Sequence, residues 1–162
     1  MHMTELFERM LVFSKGNLHD IDHLSRVWLY ARLIGAEEGL DARTQRILEA
    51  AAITHDIACP LCREKYGCTD GKLQEQEGAA LARVFLCQSG FPQDDLERVV
   101  FLVAHHHTLC GIEGIDWQIL VEADYLVNAM EKQTSREAVA AFCQKVFKTA
   151  SGTRLLHEIF CF

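Results

Sequence analysis

The sequence predicts an all-α fold, one domain over residues 1–162 with about seven or eight helices. Three observations carry that expectation. Apolar residues recur at spacings of three and four along most of the chain, which is the period of a helix face. Only two prolines, Pro60 and Pro92, occur in 162 residues, and both fall between periodic stretches. No comparable stretch alternates apolar with polar residues as a half-buried strand would.

The elements follow in order. Leu6, Met10 and Phe13 mark a helix over 4–15, broken by Gly16-Asn17. Leu24, Val27, Ala31 and Ile34 stripe a second over 19–38, with Gly39 where a C-terminal cap belongs. Asp41 is placed to cap a third, whose apolar face (Ile47, Ala50, Ala51, Ile53) runs into His55. Residues 58–72 hold Pro60, Gly67 and Gly71 without clear periodicity and read as an irregular, functional loop. Helices resume over 74–89 and 93–106, separated by Ser89-Gly90-Phe91-Pro92. A Gly111/Gly114 turn precedes a helix over 116–132, and two more fill 135–150 and 153–160.

Composition narrows the function. A net charge of −7 opposes a large nucleic-acid footprint, because phosphate backbones select basic surfaces. It leaves room for a small phosphorylated substrate, since a bound metal supplies positive charge locally. No apolar run reaches the roughly 20 residues of a membrane span. Seven cysteines, an odd number, without a secretory signal pattern read as reduced thiols in a cytoplasm.

Histidines and acids fall in informative places. His23 lies within a helix, His55-Asp56 and His105-His106-His107 end two others, and Asp124 sits mid-helix. Each is on or beside an apolar stripe, where an unpaired imidazole or carboxylate is costly to bury. A shared metal removes that cost for all of them, and this donor set suits borderline and hard divalent ions. Taken singly, His23 and Asp124 read as ordinary helix residues; the joint spacing favours ligation. His19-Asp20 repeats the dipeptide with no apolar helix leading into it, so Asp20 and Asp22 read as helix-start residues. His107 reads as a C-terminal cap, where partial negative charge favours imidazolium.

This order of motifs resembles the HD superfamily of metal-dependent phosphohydrolases. The matching segments are His23-Leu24-Ser25-Arg26-Val27, Ala50-Ala51-Ala52-Ile53-Thr54-His55-Asp56-Ile57 and Glu122-Ala123-Asp124-Tyr125-Leu126. The resemblance covers about residues 19–130, with helical additions at both ends. It implies that His23, His55, Asp56 and Asp124 ligate a divalent ion: manganese, iron, nickel, zinc or magnesium. It also implies, for a two-metal member, a second ion held by Asp56, His105, His106 and a histidine after the loop. Here the sequence departs from the pattern, with Glu77 in Gln74-Glu75-Gln76-Glu77-Gly78-Ala79 standing for that histidine. Glu75 and Glu77 also read as a solvated acidic face.

The implied chemistry is hydrolysis of a phosphate ester of a nucleotide or other small phosphorylated metabolite. In that chemistry Asp56 or Asp124 orients the water, and His106 or Glu77 moves the proton. Arg26, one turn from His23, steers a phosphoryl oxygen or pairs with Asp124 or a nearby acid. Lys72 contacts substrate phosphate or stands as a solvated surface lysine. Two further classes stay open: an HD-fold di-iron oxygenase and a non-catalytic metal-bound nucleotide sensor. Cys59, Cys62 and Cys68 have metal or redox spacing but read first as loop thiols. The tail helix, with Leu155, Leu156, Ile159 and Phe160, packs on the core or on a second copy in a homo-oligomer.

Overall fold

The structure is a computed structural model and describes residues 2–162. Among these it holds nine helices and no strand. They are α1 (Met3–Phe13), α2 (Leu18–Glu37), α3 (Ala42–Thr54), α4 (Cys59–Tyr66), α5 (Gly71–Leu86), α6 (Gln93–Val103), α7 (Ile115–Glu131), α8 (Arg136–Val146) and α9 (Ala150–Phe160). None is long and apolar enough to cross a membrane.

The all-α expectation holds, and the one addition is α4, inside the segment read as a loop. Pro60 signalled a break, but it occupies the first turn of α4. The N–H that proline lacks has no intrahelical partner there anyway. Gly67 closes the helix with φ +70°, a left-handed conformation that glycine adopts without steric cost.

Local caps set the other boundaries. Asp41 accepts from the backbone N–H of Arg43 at 2.9 Å and of Thr44 at 3.1 Å, starting α3. Asn17, not Asp20, caps α2, accepting from the Asp20 N–H at 3.2 Å. Asp70 caps α5 through the Lys72 N–H.

Three helices form the centre. α2 packs against α3 and α7, and α3 also meets α7 and α6. Every residue of α3 from Ile47 to Thr54 is buried, because neighbours lie on several sides of it. Ala50, Ala51 and Ala52 are all inaccessible, and their small side chains let those neighbours approach closely. α5 pairs with α6, α4 leans on α5, and α1 covers α3. α9 contacts α7, α2 and α8, so the tail helix docks on this chain's own core, with Leu156 fully buried.

Candidate metal centre

The packing of α2, α3 and α7 delivers four side chains to one point. His23 comes from α2, Asp124 from α7, and His55-Asp56 follow the last turn of α3. His23 Nε2 lies 3.2 Å from His55 Nε2, 3.4 Å from Asp56 Oδ2 and 3.2 Å from Asp124 Oδ1. His55 Nε2 lies 3.6 Å from Asp56 Oδ1 and 3.5 Å from Asp124 Oδ1. Metal–ligand bonds of about 2.1 Å give ligand–ligand edges of about 3.0 to 3.4 Å. These separations are close to that range.

The ring nitrogens make the fit specific. His55 Nδ1 donates to the Ala52 carbonyl at 2.8 Å, and His23 Nδ1 donates to the Glu131 carboxylate at 3.1 Å. Those acceptors hold the proton on Nδ1, so each neutral ring presents a lone pair at Nε2. Two such lone pairs face each other across 3.2 Å. That arrangement is repulsive unless a proton or a cation lies between them. The residues therefore fit a divalent ion.

Without an ion, protons take its place. Burial pulls the His55 imidazole down, but Asp56 and Asp124 overcome it and lift its pKa to about 9. Burial likewise opposes the charged form of His23, and Asp124 outweighs it in the same direction. Burial would raise both carboxyls, yet the neighbouring imidazoles hold Asp56 and Asp124 below the usual carboxylate range.

A second group adjoins the first. Asp56, His106 and His107 bring three more donor atoms together, and Asp56 belongs to both groups. His106 is inaccessible; its Nδ1 donates to the Val103 carbonyl at 2.7 Å. Its Nε2 lies 3.4 Å from Asp56 Oδ1 with no aligned hydrogen-bond partner. Gln74 of α5 adds a buried amide whose Oε1 is also unpartnered, its Nε2 being spent on the Thr69 carbonyl.

Several sequence expectations are corrected here. His105 turns away: its ring stacks on Phe101 at 4.1 Å, four residues back on the same helical face, and meets Trp117 edge-on. His107 takes the place expected for it beside Asp56. The imidazolium form expected of it is disfavoured: although the residue is exposed, the packing of one side of its ring and the neighbouring His106 pull its pKa down to about 4. Its ring packs against Gly71, where a Cβ would come within 2.8 Å of it.

Glu77 does not reach either group, because Lys65 and Tyr66 of α4 each bind its Oε1 at 2.6 Å. Glu75 is no solvated face; it accepts from the His107 N–H and the Thr108 hydroxyl, tying that turn to α5. Arg26 does pair with nearby acids, Asp22 and Glu131 rather than Asp124, and does not line the cavity, so the phosphoryl-steering role is the part corrected. Lys72 is exposed on the first turn of α5 and does not line the cavity.

The cavity beside the cluster has a volume of about 320 Å³ and reaches His23, Asp56, Gln74, His107 and Asp124. His19 and Asp20, set aside on sequence, lie at its edge, with Asp20 held by Arg63 of α4. Cys59 also lines it, and no cysteine joins a metal-ligand group among the described residues. Sequence reasoning missed Asn128, Glu131 and Lys132. The signal was available: positions 124, 128 and 131 share one face of a helix. Asn128 Nδ2 donates to Asp124 Oδ1 at 2.8 Å, and Glu131 orients His23.

No curated protein matches the sequence significantly. The fold is similar to the crystal structure of a predicted HD superfamily hydrolase from an uncultured Thermotogales bacterium. That similarity has a TM-score of 0.72 and 25% identity, covering 99% of this chain and 86% of the other. The HD domain profile matches residues 20–142, a span containing His23, His55, Asp56 and Asp124. On that match, and on the helices that assemble the His and Asp side chains, the chain belongs to the HD domain family.

Proposed function

We propose that the protein is a metal-dependent phosphohydrolase acting on a phosphate ester of a nucleotide or other small phosphorylated metabolite. One observation carries this reading: two imidazole lone pairs and two carboxylates converge on one point at the wall of an open, polar cavity. The similar Thermotogales protein is described as a hydrolase, which supports the same class.

His23, His55, Asp56 and Asp124 hold the ion. A divalent ion in such a site supplies hydroxide at neutral pH and neutralises charge on a phosphoryl oxygen. Glu131 and the Ala52 carbonyl fix the tautomers of His23 and His55, and Asn128 fixes the Asp124 carboxylate. His106 Nε2, buried and without an aligned partner, is placed to take up a proton or to hold a second cation beside Asp56. Lys132 lines the cavity with no ion-pair partner among the described residues and replaces Lys72 as the phosphate contact. A net charge of −7 favours a small substrate over nucleic acid, and seven free cysteines suit a reducing compartment such as the cytoplasm.

The test is a panel of phosphomonoesters and phosphodiesters, assayed with manganese, iron, nickel, zinc and magnesium in turn. Turnover of at least one ester, abolished by chelation and restored by metal, is the expected result. Absence of turnover with every metal removes the reading. Because Asp56 is common to two ligand groups, a di-iron oxygenase is the second reading. Turnover that stops without oxygen would select it.

Metal binding should also release protons. His55, with a pKa of about 9, is protonated at pH 7 in the metal-free protein, and an ion at Nε2 displaces that proton. Apparent affinity therefore rises about tenfold per pH unit up to about pH 9 for this one proton. Calorimetry in buffers of different ionisation enthalpy reads the release directly. Affinity independent of pH between 6 and 8 would take His55 out of the ligand set.

A further inference from the structure

A second cavity, of about 190 Å³, lies against the first. Four residues line both: His107, Asp124, Asn128 and Lys132. The two spaces thus adjoin along a shared edge that includes a candidate metal ligand. Their chemistry differs. The first is otherwise edged by residues such as His19, Asp20, Arg63 and Gln74, whereas the second adds an apolar side of Leu109, Val121, Tyr125, Ala129 and Phe142 beside His106 and Thr134.

The apolar side runs from the buried core, at Val121 and Ala129, out to solvent. Leu109 is 45% exposed, and Tyr125 and Phe142, stacked with ring centroids 3.6 Å apart, are half-buried. Lys132 stands at the junction of the two cavities and makes no ion pair among the described residues. Binding sites combine such an apolar lining with a few polar groups that set orientation.

We propose that the second cavity receives a flat apolar group, a single aromatic ring, that the phosphorylated substrate carries close to its ester oxygen. This rests on the phosphohydrolase reading and specifies its substrate. Size supports a single ring, since a cavity of about 150 Å³ already admits benzene. Placement supports it too: a phosphoryl group beside Asp56 and Asp124, held by Lys132, points its ester substituent into this neighbouring space. The ring contributes binding energy from a part of the substrate that does not react.

The test compares methylphosphonate with phenylphosphonate, neither of which can be hydrolysed as an ester, on manganese-loaded protein by calorimetry. Phenylphosphonate should bind at least about tenfold tighter, the effect of burying one ring. The advantage should fall below about threefold in Leu109→Asp and in Phe142→Ala. Leu109 is a surface residue, so the first variant keeps the proposal testable if the second folds poorly. Independently of activity, phenylphosphonate should shift the Leu109 and Ala129 methyl NMR signals, and methylphosphonate should leave them in place. Equal affinities, or shifts elsewhere only, overturn the aromatic subsite while leaving phosphate-ester hydrolysis intact. If neither phosphonate binds and no ester is hydrolysed, the phosphohydrolase reading falls, and the subsite with it.

Discussion

If the proposed function holds, His55→Ala should lose metal binding and ester hydrolysis together, with kcat/KM down by about a thousandfold or more. That magnitude corresponds to the several kcal/mol a metal contributes by stabilising transition-state charge and supplying hydroxide. His55 has the least freedom of the four proposed ligands. It is wholly inaccessible, its Nδ1 is committed to the Ala52 carbonyl, and its Nε2 faces His23 Nε2 at 3.2 Å. Removing it also leaves the carboxylates of Asp56 and Asp124 without the imidazole between them, so the variant is expected to lose stability as well. Asp56→Asn separates the two effects. Asp56 is a quarter exposed and its amide is isosteric, so the fold should survive while affinity and turnover fall. Elemental analysis, circular dichroism and the ester assay together decide the matter. A folded, metal-free His55→Ala protein with full activity would end the assignment of these residues to the reaction.

What could be read from sequence was whatever depended on local pattern. The stripes of α2 and α3 and the run into His55-Asp56 are periodic, so helices and the main cluster were legible. α4 was not, because proline and glycine mark a helix's ends as readily as they mark a loop, and only tertiary support from α5 decides. The histidine triplet shows a different limit. Adjacent residues in a tight turn point in different directions, and Phe101 and Trp117 captured His105 while Gly71 made room for the ring of His107. Glu77 was misplaced for a related reason. A carboxylate in the second turn of a helix gives no sign that Lys65 and Tyr66, twelve and eleven residues away, will claim it. Gln74, one turn earlier, is the α5 residue that faces the cavity.

Glu122→Ala should lower stability by about 3–5 kcal/mol, a fall in Tm of roughly 10 °C for a chain of this length. Glu122 has no solvent exposure, although it sits two residues from Asp124 in the same helix. Its carboxylate accepts from Gln118 Nε2 at 2.7 Å, from the Lys148 N–H at 2.7 Å and from the Thr149 N–H at 3.0 Å, and it also takes the Thr149 hydroxyl. The Lys148 and Thr149 donors lead into α9, so one acidic side chain joins the tail helix to the helix that carries Asp124. Alanine leaves several buried donors unsatisfied, and each costs about 1–3 kcal/mol where water cannot replace the lost acceptor. Glu122→Gln should fall between, because the amide keeps one acceptor oxygen but turns an NH₂ toward the remaining donors. Calorimetric melting of the three proteins reads the order directly. A Tm change below about 2 °C in the alanine variant would mean that water reaches those donors, and that α9 does not depend on Glu122. If the order holds, metal affinity in Glu122→Ala reports whether docking of α9 also steadies Asp124, and the same preparation answers both questions.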